Sequence, residues 1–136
     1  MGRNIGAGIA GVVVAGLLVW VVEMIGHSAN PMPEGLDYND REAMHAYITS
    51  LPVWALLPVV VAWIVGTFGG TLAACRIGTA PAYIFALLVG GFVLLGIGLN
   101  LAAFPHPTWM AIAGVIGTIA AAWLGMLLGG AKKEAV

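Results

Sequence analysis

Residues 77–131 carry no Asp, Glu, Lys or Arg: 55 consecutive positions between Arg76 and Lys132. A soluble domain of 136 residues that is 61% hydrophobic and 8% charged has too little polar side chain to cover such a run. Lipid is the solvent that accepts it, and the run suffices for two bilayer crossings at ~20 residues each. Breaks at charges, prolines and polar clusters divide the whole chain into four apolar spans, about 5–26, 52–74, 80–101 and 108–129. Each can cross ~30 Å of hydrocarbon as a helix, which satisfies its own backbone polar groups. A β-barrel would need period-two alternation, which the spans lack. The expected fold is an all-α membrane protein: a single four-helix transmembrane domain over residues 1–136, with the bilayer as its first partner.

The opening apolar run, residues 5–22, could pass for a secretory signal, with Gly26 and Ser28 as small residues before a cleavage point. Its 18 positions exceed the ~7–15 of a signal core, so it is read as a retained first span. An even number of spans puts both termini on one side. That side collects Arg3, Arg76, Lys132 and Lys133, the other only Arg41, which predicts cytoplasmic termini in a bacterial inner membrane.

The remaining polarity is concentrated. The stretch "EMIGHSANPMPEGLDYNDREAMH", residues 23–45, holds five of the six acids and two of the three histidines. Most of it is the extracytoplasmic loop 27–51, where polar groups meet water. The two prolines of "NPMPEG" stop the first helix in a stiff turn. Beyond it, Met44, Tyr47, Ile48 and Leu51 share one helical face, and Asn39 with Glu42 matches a capping box. A short amphipathic helix lying on the membrane with its apolar stripe down is expected. Pro58 should kink the second span, a defect that a neighbouring helix or a cavity must cover.

Small residues recur every fourth position: Ala7, Gly11 and Ala15; Ala62, Gly66, Gly70 and Ala74; Ala113, Gly117, Ala121, Gly125 and Gly129. Such stripes let helix backbones approach closely, the main source of association within lipid. They serve packing within one subunit, docking of another copy or another protein, or both. Four spans of this size enclose no pore alone, so a transport role needs an oligomer.

Candidate chemistry gathers at the extracytoplasmic side. Glu23 and His27 are four apart on one helix face, and His45, His106 and Asn100 fall at the same level, giving a polar or ligand cluster of Glu23, His27, His45, Asn100 and His106. The plain alternative places Glu23 about 4.5 Å below its helix end, reaching interfacial water or pairing with Arg41. A metal or haem, if held, would take Glu23, His27 and His106; no cofactor is otherwise called for. Other motifs fail. The Gly6-x-Gly8-x-x-Gly11 pattern has no preceding strand, so it cannot cradle a dinucleotide. "DYND" has Glu42 where a calcium loop needs glycine. Ser28 and Ser50 sit in no nucleophile turn, and Cys75 lies at the opposite side from every histidine. Five basic residues in a chain of formal charge −1 exclude a nucleic-acid partner.

With these residues laid out, the chain resembles a group of small bacterial four-span inner-membrane proteins of unassigned function. The likeness lies in Glu23-x-x-x-His27, in Pro31, Pro33, Gly35 and Asp37, in Leu51-Pro52, and in "PHPTW" before the fourth span. It implies fold and location only. The small multidrug resistance transporters are similar in having four spans with an acid in the first. They carry that acid deep in the helix with short loops, whereas Glu23 lies near its exit and a 25-residue loop follows, so the likeness stands as analogy. The expected function is a non-enzymatic membrane subunit, homo-oligomeric or accessory to a larger complex. A small oligomeric channel or transporter using Glu23, or an outward metal or haem site, is the alternative.

Overall fold

In the computed structural model the backbone is described for residues 1–134 and side chains for residues 1–130. Lys132 and Lys133, counted above for orientation, lie outside the described side chains. Five helices follow in order: α1 Gly2–Ala29, α2 Arg41–Ser50, α3 Val53–Ile77, α4 Ala82–Ala103 and α5 Thr108–Glu134. All but α2 are long and apolar enough to cross a bilayer, making this a multi-pass helical membrane protein. The described residues contain no strand.

Around the bundle the spans run α1, α3, α5, α4, with α4 closing back on α1 and also touching α3 across the middle; among the described residues the backbones of α1 and α5 do not approach closely. The glycines explain why α3 is the hub. On one face its backbone lies against α1: a Cβ at Gly66 would stand 2.8 Å from the Ala15 carbonyl oxygen, one at Gly70 would run into the Gly11 carbonyl, and one at Gly11 would meet Ala74 Cβ at 2.7 Å. On another face α5 supplies the gaps. The Trp63 ring fills the space over Gly114, Ile64 that over Gly117, and a Cβ at Gly125 would sit 2.9 Å from the Phe68 carbonyl oxygen. Ala121 is buried in the same row. On α1 the buried residues are small, Ala7, Gly8, Gly11 and Ala15, while the ridge Ile5, Ile9, Val13 and Leu17 faces outward. An exposed ridge of this kind suits a solvent as apolar as leucine.

At the end bearing the termini, Asn4 holds the α3–α4 turn. Its Oδ1 accepts from the Thr79 amide (2.7 Å), the Ala80 amide (3.0 Å) and the Thr79 hydroxyl (3.1 Å), while Arg3 Nε donates to the Ile77 carbonyl at 2.7 Å. At the other end, the loop end, α2 differs from expectation in two respects. Its N-cap is Asp40, not Asn39: Asp40 Oδ1 accepts from the amides of Glu42 (3.1 Å) and Ala43 (3.0 Å), and Asp37 Oδ1 takes the Asn39 amide instead. Its apolar stripe does not face lipid. Met44 and Ile48 are buried in the same core as Leu56, Ile97 and Met110, and Tyr47 and Leu51 pack against it. The ends of the spans offer apolar surface that would otherwise meet water, so burying the stripe there removes both exposed faces at once.

Candidate functional site

Three local features build a chamber under α2. The first is the contact between α1 and α3, where Gly26 makes room for the ring of Pro58; a Cβ at Gly26 would lie 2.5 Å from Pro58 Cβ. The defect in α3 is thus covered by α1 on one side and opens to the chamber on the other. The second is the standoff of α2, whose Cα atoms lie more than 8 Å from those of every other helix among the described residues, leaving side chains to bridge the gap. The third is the "FPHP" turn, in which Phe104 to Pro107 are half-buried beside the ends of the spans. Between them lies a cavity of about 190 Å³. Met32, Met44, Ile48, Leu51, Leu56 and Val59 form its apolar wall, and Glu23, His27, Asn30, Tyr38, Tyr47, Asn100 and His106 bring polar atoms to it.

Four of the five candidates from the sequence, Glu23, His27, Asn100 and His106, line this one cavity. His45 does not; it lies on the exposed side of α2. Because α1 continues to Ala29, Glu23 stands six residues from the helix end, ~9 Å rather than one turn below it. Arg41, the partner considered for it, donates through Nη2 to the Ala102 carbonyl at 3.2 Å. The two cavity histidines share one arrangement. His27 Nδ1 lies 2.8 Å from the Glu23 carbonyl oxygen and His106 Nδ1 2.8 Å from that of Phe104. A carbonyl only accepts, so each Nδ1 donates. Phe104 steadies the His106 ring edge-on, with centroids 6.4 Å apart.

Asn100 is the exception to local satisfaction. Its backbone carbonyl accepts the Phe104 amide at 3.0 Å, but its Oδ1 is buried without a hydrogen-bond partner. Leaving such an acceptor unmet costs ~1–3 kcal/mol, a cost the bundle carries beside the cavity. Deeper in the bundle the Thr71 and Thr118 hydroxyls are likewise buried and unpartnered. Among the described residues no three His, Cys, Asp or Glu side chains converge as a metal site. The hydroxyls considered for catalysis are spent on their own helices: Ser28 Oγ donates to the Met24 carbonyl at 2.8 Å and Ser50 Oγ to that of Tyr47 at 2.6 Å.

No family model, curated protein or solved structure matches this chain. The chemistry of the chamber therefore rests on its own residues. Sequence reading missed Tyr38, Asn30 and Met32, which lie in the irregular stretch after α1 where no periodicity signals a direction. It placed Tyr47 on the correct face of α2 but against the wrong neighbour, lipid instead of protein.

Proposed function

We propose that the protein is a non-enzymatic integral membrane protein of a bacterial inner membrane. It acts as a small-molecule-binding subunit, alone as a homo-oligomer or within a larger membrane assembly, with cytoplasmic termini and the chamber outside. The observation that carries this reading is the half-open cavity of about 190 Å³, apolar for most of its wall, with several polar residues on its lining. A non-enzymatic role is supported by the Ser28 and Ser50 hydroxyls, which are bonded within their own helices, and by Cys75, which is buried toward the opposite end of the bundle. Native mass spectrometry of the protein extracted in mild detergent from its source membrane tests the proposal. A chain or oligomer carrying a bound mass that fits the cavity, and losing it on Asn100→Leu, is expected. Recovery of the bare chain at every detergent strength, with no bound species and no partner, would overturn it.

A transport role is the second reading, favoured by Glu23 lining the chamber ~9 Å inside its helix end. It requires Glu23→Gln to abolish cation or amine flux in proteoliposomes. Unchanged flux would remove it.

A further inference from the structure

We infer that the seam between α1 and α4 holds one anionic phospholipid from the leaflet on the side of the termini, with an acyl chain in the groove and the phosphate at Arg3. The seam lies at the opposite end of the bundle from the chamber, and the inference stands apart from the function proposed there.

The shape of the seam comes from the side chains that meet in it. α1 and α4 touch where α1 is smallest: a Cβ at Gly8 would stand 2.7 Å from Leu88 Cδ2, and one at Gly11 3.0 Å from Val89 Cγ2. Outside that contact the two helices leave a groove of about 510 Å³, running from Asn4 and Ala80 at its mouth to Val13 and Leu88 at its far end. The buried ring of Phe85, which Gly78 admits, lines its floor, and the exposed side chains of Ile5, Ile9 and Ile84 form its rims. From Asn4 to Val13 the helix rises ~14 Å, close to the ~15 Å that one leaflet contributes to a ~30 Å hydrocarbon core. A cavity of ~150 Å³ holds benzene, so this volume has room for a hydrocarbon chain. Asn4, at the mouth, is the one polar residue on the lining.

The mouth also supplies charge. Asn4 Oδ1 accepts from the Thr79 and Ala80 amides, and Arg3 Nε donates to the Ile77 carbonyl at 2.7 Å. Arg3 is thereby held beside the groove with its Nη groups left for an anion, and a pinned guanidinium loses less freedom on binding a phosphate. Arg76, exposed in the last turn of α3, adds positive charge to the same end, while every acid among residues 1–130 lies between Glu23 and Glu42. The charge at the mouth is unopposed within these residues and favours a headgroup of net negative charge, about fivefold for each basic residue. A second copy inserted with the same topology would bring its own Arg3 and Arg76 to this level, like charge upon like; an anionic lipid cancels them.

The test is native mass spectrometry of the full chain released from nanodiscs that hold equal parts of phosphatidylglycerol and phosphatidylcholine with matched acyl chains. One phosphatidylglycerol per chain should be retained, about fivefold or more over phosphatidylcholine. Arg3→Gln should erase that preference, Arg3→Lys should restore most of it, and Arg41→Gln at the loop end should leave it unchanged. Ile84→Trp, filling the groove from its exposed rim, should lower lipid retention severalfold, whereas Ile116→Trp on the exposed face of α5 should not. Equal retention of the two lipids by the unaltered protein overturns the inference. A preference that survives both Arg3→Gln and Ile84→Trp places the lipid elsewhere and overturns it too, as does a lipid-free dimer that Ile84→Trp breaks, which would make a second copy the occupant. The comparison of the two lipids needs only the unaltered protein, so a variant that fails to fold does not protect the inference.

Discussion

Single atoms decide the close approach of the helices. Gly70 and Gly91 are both glycines within spans, yet a Cβ at Gly70 would enter the Gly11 carbonyl while one at Gly91 meets nothing within 4 Å. Gly70→Val should therefore force α1 off α3 and cost about 1–3 kcal/mol, read as a lower melting temperature in detergent, whereas Gly91→Ala should leave melting unchanged or raise it. Equal effects from the two would show that the α1–α3 contact does not hold the fold. Asp40 is a second such residue. With Oδ1 taking two amides at the start of α2, Asp40→Ala should speed hydrogen exchange at Glu42 and Ala43 about fivefold, while Asn39→Ala should not. The reverse order would restore Asn39 as the cap.

At the scale of elements, α2 is held by side chains. Its attachment is the burial of Met44 and Ile48, the partial burial of Tyr47 and Leu51, and the Arg41 hydrogen bond to the Ala102 carbonyl of α4. Removing one such side chain from water is worth about 1.5–3 kcal/mol, so a single charge should free the helix. In a Cys75→Ala background carrying Asn100→Cys, Ile48→Asp should raise the rate of labelling by a water-soluble maleimide at least about tenfold. A rate unaffected by Ile48→Asp would mean that α2 is not the cover of the chamber. Pro58 belongs to the same scale. It costs α3 a backbone hydrogen bond at the level where Gly26 admits its ring, so the helix defect, the glycine and the cavity form one feature.

At the scale of the molecule, many large apolar side chains of the four spans form the outer surface, so the bilayer completes the fold. Four crossings require both termini on one face and α2 on the other. With Cys75 replaced, Glu34→Cys should react with an impermeant thiol reagent in intact cells, and Gly2→Cys only after permeabilisation. The opposite pattern would invert the orientation, and labelling of both in intact cells would rule out four crossings.

The number of spans and their limits within a few residues were legible in the sequence because they follow from the length of apolar runs, a local property that tertiary contacts barely alter. The level of Glu23, His27, Asn100 and His106 was legible for the same reason, since span ends fix depth. Direction was not. Whether the stripe of α2 faces lipid or protein depends on what lies beneath it, and Met44 and Ile48 carry no mark that distinguishes the two. The small-residue rows showed that backbones could meet but not which ones, because a glycine offers a gap without naming what fills it. Only the assembled bundle put Pro58 on Gly26, turned His45 away and left Asn100 Oδ1 without a donor, since each depends on helices far apart in the chain.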